Sequence, residues 1–415
     1  MRRMIRYLCL SLCVAGGAAA QTALTWQQVV ERFRAGNPNL SAGQLNIQES
    51  KAAEVTANLR PNPNASFSLD QLQVFNPNPY RPVTNALPIV AFDYLHERQH
   101  KRELRLQSAQ QGTAIAESQQ QDLERTLLFN LRTAFVQTLQ AKQLLASAKE
   151  NLDYFDKELA INRDRYRSGD IARVDLDRIA LQRVQYESDY QTALVNARTA
   201  KITLLMLLNE RTAVDSFDVT GPFTFQEKIQ ALEEFHTIAL AARPDLRAAM
   251  QAVEKAGTDH KLAVANGSTD PDFTLDFGHT GADSYFGVGV SIPLRIFDRN
   301  QGEKARTQID ITHAERQKDA AQAQVFSDVD SAYFTLLSTV NLLRPYEGAD
   351  GYLETARRIR DTMSFSYQRG QAALVDYLDS QRDFRATQVA YINLVGAYLG
   401  AAGQLNMAVG REAIP

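Results

Sequence analysis

The stretch Tyr166-Arg167-Ser168-Gly169, with Val174-Asp175 just beyond it, returns in the second half of the chain as Tyr367-Gln368-Arg369-Gly370 with Val375-Asp376. Two further matches flank it. Asn37-Pro38-Asn39-Leu40 answers to Arg243-Pro244-Asp245-Leu246, and without a gap Phe67-Ser68-Leu69-Asp70 answers to Phe273-Thr274-Leu275-Asp276. Self-similarity held over most of a chain marks a tandem duplication, here with a small length difference. The division it predicts is a leader over 1–20, a first repeat over 21–208, a connection over 209–233 and a second repeat over 234–415.

Within each repeat, a short helix leads into alternating residues and then into long helical stretches. From Leu127 the apolar positions step by four and three through Leu131, Ala134, Thr138, Ala141, Leu145, Ala148, Leu152, Phe155 and Leu159, with only Thr138 polar. That spacing is a coiled-coil seam. It resumes after Gly169 through Leu176, Ile179, Tyr186 and Tyr190 to Leu207, so Gly169 is the turn of an antiparallel helical hairpin. The second half repeats the seam on Val329, Tyr333, Leu336, Val340 and Leu343, turns at Gly370 and returns through Leu378 to Leu405. With no strong breaker from Glu103 to Arg167, the first rising arm is on the order of 100 Å long at 1.5 Å per residue.

Between the helices the period is two. Phe273, Leu275 and Phe277 alternate with Asp272, Thr274 and Asp276; after Gly281-Ala282-Asp283, Phe286, Val288, Val290 and Ile292 alternate with Tyr285, Gly287, Gly289 and Ser291. The first repeat has a weaker pair, separated by a loop rich in Pro and Asn from Asn76 to Pro82. Strands are expected at about 65–75, 86–95, 271–280 and 284–293. Four strands cannot close a barrel, and lipid does not tolerate an open edge. About 12 strands would need three copies of the chain.

The 415 residues are 44% hydrophobic and carry a net charge of only −3, which leaves no basic excess for a nucleic-acid partner. Arg2, Arg3 and Arg6, the short apolar run Tyr7 to Val14 and Ala18-Ala19-Ala20 read as an export signal cleaved after Ala20. Cys9 and Cys13 both fall inside it, and Leu12 before Cys13 is not the small residue a lipoprotein signal needs. The mature chain would have no thiol. The uncharged stretch from Ala386 to Gly410 contains Gln388, Asn393, Gln404 and Asn406, which suit a packed return helix better than a membrane span.

The order of elements from Leu24 to about Met407 resembles the TolC family of outer-membrane efflux proteins. The residues that carry the resemblance are the paired Asn37-Pro38 and Arg243-Pro244 helix starts, the run Ser291-Ile292-Pro293-Leu294-Arg295-Ile296-Phe297-Asp298-Arg299-Asn300-Gln301-Gly302, and the two Tyr-x-x-Gly turns followed by Val-Asp. The resemblance implies a mostly α, mixed α and β protomer. It also implies a homotrimer with a 12-stranded β-barrel in outer-membrane lipid and a 12-helix tunnel across the periplasm. It implies passive conduction without catalysis or cofactor, through a periplasmic adaptor that connects to a proton-driven inner-membrane pump.

The resemblance also implies roles for particular residues. Asp376 and Asp379, three apart and so on one helix face, match the family's periplasmic aperture, and Asp175 holds the repeat-equivalent place of Asp376. Trimerised, such acids form a ring that favours cations. The family's basic latch position is Ala372 here, which leaves Arg173, Arg178 or Arg369 as substitutes. The turns Gly169-Asp170-Ile171 and Gly370-Gln371-Ala372 match the adaptor docking points. The strand acids Asp70 and Asp276 should face the lumen if their apolar neighbours face lipid.

One motif points elsewhere. His96-Glu97-Arg98-Gln99-His100 satisfies the H-E-x-x-H pattern of zinc peptidases, whose imidazoles share one helix face. It falls where a strand hands over to a long helix, and its repeat counterpart has no histidine. His236, His260, His279 and His313 show no ligand spacing. Three function classes result: an export duct, a periplasmic coiled-coil scaffold, and a zinc hydrolase resting on His96 and His100 alone.

Overall fold

The computed structural model describes residues 23–414 apart from 73, 76–82, 84–85 and 227–228. The expected export segment, both cysteines and the Asn76–Pro82 loop lie outside the described residues. The first half runs through α1 (Trp26–Gly36), α2 (Pro38–Ala57), β1 (Asn64–Asp70), β2 (Leu87–Leu95), α3 (Lys101–Arg167) and α4 (Arg173–Leu207). The second runs through α5 (Leu232–Ala242), α6 (Pro244–Asn266), β3 (Asp272–Thr280), β4 (Asp283–Ser291), α7 (Gln301–Leu343), α8 (Tyr352–Gln368) and α9 (Leu374–Val409).

Local chemistry sets the helix starts. Thr25 and Gln28 form a capping box on α1. Asn37 accepts from the backbone N–H groups of Asn39 and Leu40 at 2.9 and 3.2 Å, and Pro38 follows at the first position of α2, where a missing N–H costs nothing. The 67 residues of α3 pass α2 and α6 near the sheet and α4 and α9 below. The seam residues Leu131, Ala134, Leu152, Phe155 and Leu159 are buried as their spacing requires. Thr138, the one polar member, bonds its hydroxyl back to the Ala134 carbonyl at 2.8 Å. Across the hairpin Phe155 stacks on Tyr186 at 4.3 Å.

The second rising arm departs from the continuous seam read in the sequence. Helix α7 ends at Leu343, a 3-10 turn spans Arg344–Tyr346, and α8 begins only at Tyr352. Pro345 has no N–H for the helix ladder and its ring crowds the preceding turn, so the arm is split where α3 is unbroken.

The four strands make one antiparallel sheet in the order β1-β2-β3-β4. β1 stops at Asp70, short of the expected 75, where Gln71 turns to φ 56°. Pairing of Phe67 with Val90, Ala91 with Asp276 and Asp276 with Gly287 fixes the register. This register sorts the two faces. Phe67, Phe277, Phe286 and Val288 are all exposed on the apolar one. The other holds Asp276, Thr274 and Asp93, with Thr274 donating to Asp93 at 2.7 Å. The connection between the halves pairs Val219 with Leu24 and lies over α3, where a Cβ on Gly221 would meet the Phe135 ring at 3.3 Å.

Candidate functional site

The two turns at the far end of the hairpins share one geometry. Gly169 and Gly370 take φ 83° and 73°. Each is followed by an N–H that reaches five residues back: Asp170 to the Arg165 carbonyl at 2.8 Å, and Gln371 to the Ser366 carbonyl at 2.9 Å. The left-handed conformation ends one helix, and the next starts at Arg173 or Leu374. A Cβ on either glycine would meet nothing within 4 Å, so conformation and not space demands glycine there. Asp170, Gln371 and Gly370 are exposed at the tips, while Ile171 and Ala372 are half-buried.

Asp175 and Asp376 lie in the first turns of α4 and α9. A carboxylate there faces free backbone N–H groups and is favoured by the helix dipole. Asp376 and Asp379 are both exposed on α9, and Asp379 pairs with Arg382 at 3.1 Å on the same helix. Of the arginines considered as a latch, Arg173 binds Asp177 at 3.1 Å and Arg369 lies 4.1 Å over the Phe365 ring. Sequence reasoning passed over Arg382, although its spacing from Asp379 is that of an ordinary helix pair.

Beneath the turns a buried cluster ties the two hairpins together. Tyr377 stacks on Tyr367 at 4.9 Å with the rings 11° apart. The Tyr367 hydroxyl donates to Asn162 at 3.2 Å, Gln368 donates to Glu158 at 3.3 Å, and Gln381 donates to the Tyr154 hydroxyl at 3.3 Å. Glu158 is only 4% exposed. Its second oxygen and the Tyr377 hydroxyl are shielded and have no hydrogen-bond partner among the described residues. Burial pushes the Glu158 carboxyl above the usual carboxylate range, with the bond from Gln368 pulling the other way.

In the sheet, Asp276 lies against Gly287, where an added Cβ would come within 2.5 Å of its carboxylate. Asp70 stands opposite Leu87, at the far end of β1 from the helices. Register places both acids on the polar face, away from Phe67 and Phe277.

The H-E-x-x-H stretch forms no zinc site. Gln99 and His100 take φ 57° and 55° and α3 starts only at Lys101, so the two histidines share no helix face. Glu97 is held by both ends of the Arg105 guanidinium, one bond at 2.9 Å, and His96 packs edge-on to Phe273. The spacing on one helix face that the hydrolase alternative required of His96 and His100 is therefore not formed. Among the described residues no group of three or more His, Cys, Asp or Glu could hold a metal. The segment instead joins sheet to helix: buried Lys101 binds Asp270 at 2.5 Å, and Asp270 also accepts from the Arg98 N–H at 2.9 Å.

Comparison with known proteins agrees with this arrangement. The family model described as outer membrane efflux protein matches residues 237–411, most of the second repeat. The cobalt-zinc-cadmium resistance protein CzcC of Cupriavidus metallidurans is 22% identical over 94% of this chain and 90% of its own length. The outer membrane efflux protein BepC of Brucella suis is 23% identical over 97% and 88%. The crystal structure of the outer membrane protein VceC from Vibrio cholerae superposes with a TM-score of 0.73 at 16% identity, covering 93% of this chain and 96% of that one.

Proposed function

We propose that this chain, which belongs to the TolC family of outer-membrane efflux proteins, is the outer-membrane exit duct of a tripartite efflux pump. The observation that carries the reading is the sheet: four strands with an exposed apolar face, a polar face and two unpaired edges, mounted on long helices of which α3 alone runs about 100 Å. An apolar face of that kind suits lipid, and a periplasmic scaffold would have no use for it. Unpaired N–H and C=O groups on β1 and β4 have no partner in hydrocarbon, so closure takes further copies of the chain. Three copies supply 12 strands around a lumen lined by the face that carries Asp70 and Asp276. The helical hairpins continue that lumen through the periplasm. The turns around Gly169 and Gly370 receive a periplasmic adaptor, and a proton-driven inner-membrane pump loads the tunnel from below. Asp376 and Asp379, with Asp175 nearby, stand where the tunnel narrows.

The test is assembly. Protein extracted from outer membranes with detergent should scatter light as a trimer and conduct ions in planar bilayers. A folded, monodisperse monomer without conductance would overturn the reading.

A further inference from the structure

The duplication makes one seam inside this chain a template for a seam between chains. Phe67 pairs with Val90 in the first repeat and Phe273 with Val290 in the second, so β1 corresponds to β3 and β2 to β4 residue by residue. The helix starts obey the same correspondence: His100 before α3 and Asn300 before α7 both take left-handed φ, 55° and 61°. Where the repeats meet, β2 pairs with β3, and this ladder runs out to Tyr94 opposite Phe273 and Leu95 opposite Asp272. β4, the counterpart of β2, stops at Ser291, because β3 begins at Asp272 and offers no strand beyond it. The next residues, Ile292 to Arg295, have no strand beside them among the described residues. Ile292, Leu294 and Ile296 are nevertheless apolar and exposed. All of β1, from Asn64 to Asp70, is exposed as well.

We propose that Ser291 to Arg295 is a strand extension that forms only between copies, pairing antiparallel with Ser66 to Asp70 of the next copy in the register that β2 and β3 use inside the chain. This rests on the trimeric duct proposed above and names its seam. Carrying the Tyr94–Phe273 pair across the correspondence sets Leu294 opposite Phe67 of the next copy; its neighbours become Ile292 with Leu69 and Arg295 with Ser66. Side-chain direction agrees independently. Alternation from Phe286 and Val288 puts Ile292 and Leu294 on the apolar face, where Phe67 already lies. The transferred register joins apolar to apolar and sets Arg295 beside Ser66 on the polar face, whereas a slip of one residue would set Phe67 against a polar-face position of β4. Pro293 lacks an N–H, so the extension gives up at most one rung, which a strand end tolerates. The helices favour the same neighbour. α2 packs on α3, α3 on α6 and α6 on α7, in the order of the strands, and the two end helices expose apolar Leu45 and Ile309.

Disulfide mapping tests this, since Cys9 and Cys13 lie in the expected export segment and the sequence has no other cysteine. Full-length chains carrying Phe67→Cys with Leu294→Cys, or Ser66→Cys with Arg295→Cys, are extracted from outer membranes, oxidised and run on denaturing gels without reductant. Adjacent pairs in an antiparallel ladder alternate between hydrogen-bonded and non-hydrogen-bonded positions, so the two variants sample both geometries. At least one should yield a covalent trimer that thiols dissolve. The displaced pairs Phe67→Cys with Ile292→Cys, and Phe67→Cys with Ile296→Cys, should yield about tenfold less, because diagonal Cα atoms lie beyond disulfide reach. Should the loss of Phe67 impair assembly, the Ser66 and Arg295 pair leaves the apolar face untouched and still decides the register. A displaced pair that cross-links best overturns the register. No cross-link in any pair, in a protein that scatters light as a trimer, overturns the seam while leaving the duct standing. A monomer by light scattering removes the duct and the seam with it.

Discussion

Asn37 and Arg243 occupy equivalent places in the two repeats, and each bonds the end of the helix returning from its own half's turn: Asn37 Nδ2 donates to the Leu207 carbonyl at 3.5 Å, Arg243 Nη1 to the Ala408 carbonyl at 3.2 Å. In each half the N-cap residue of an upper helix satisfies a carbonyl that the lower helix leaves open, and Asn37 also caps α2 with its side chain, which Arg243 does not do for α6. α2 is seated on α4 and α6 on α9 by the same device. The chemistry has diverged, since Arg243 is buried and also binds Asp245 and Asp328, the latter at 2.7 Å.

The two joints should therefore differ in strength. Asn37→Ala loses a cap and should cost about 1 kcal/mol. Arg243→Ala strands two carboxylates that remain about a third exposed, and should cost about 3 kcal/mol, the low end for a broken buried pair. Denaturant unfolding of the purified protein measures both; equal losses would show that the extra carboxylates contribute nothing.

Burial raises the Glu158 pKa above its unfolded value, so the folded state holds the proton more tightly. Stability contributed by this group is then greatest at low pH and declines as pH rises from the unfolded value through the folded one. Glu158→Gln keeps the contact to Gln368 without the charge. Hydrogen exchange around Tyr367 and Tyr377 should show protection that falls as pH rises from 5 to 8 in the parent and stays level in the variant.

Because open space surrounds both turn glycines, Gly169→Ala and Gly370→Ala should each cost only the left-handed strain, about 1 kcal/mol, with assembly intact. Tryptophan at either position should abolish efflux and adaptor cross-linking while membrane insertion persists. Undiminished cross-linking in both tryptophan variants would remove the tips from the docking surface.

Replacing Asp376 and Asp379 with alanine should weaken cation preference and block by a trivalent cation in planar-bilayer recordings. The same change at Asp70 and Asp276 should matter far less, since a wide hydrated lumen screens charge. Arg382→Ala frees Asp379 from its neighbour and should shift the reversal potential the opposite way, toward stronger cation preference.

How far the sequence reaches is clear from particular residues. Alternation from Phe273 to Ile292 foretold two strands because each side chain there faces a single environment, and the Leu127 seam foretold a hairpin for the same reason. The division of the second arm was within reach, as Pro345, Gly348 and Gly351 are all breakers, but seam residues on either side masked it. Lys101 with Asp270, and Glu158 with Gln368, are contacts between distant segments that no local period encodes. The H-E-x-x-H match is already discounted by its place at a strand-to-helix handover, and Gln99 and His100 interrupt there, with positive φ, the helix that the pattern presumes.

The unpaired edges of β1 and β4 constrain the order of biogenesis. A solitary chain entering the bilayer would expose two rows of backbone groups to hydrocarbon, each unmet group costing several kcal/mol. For the proposed trimer this means that partners meet before or during insertion, with unassembled copies waiting in the periplasm, unable to puncture the membrane as partial pores.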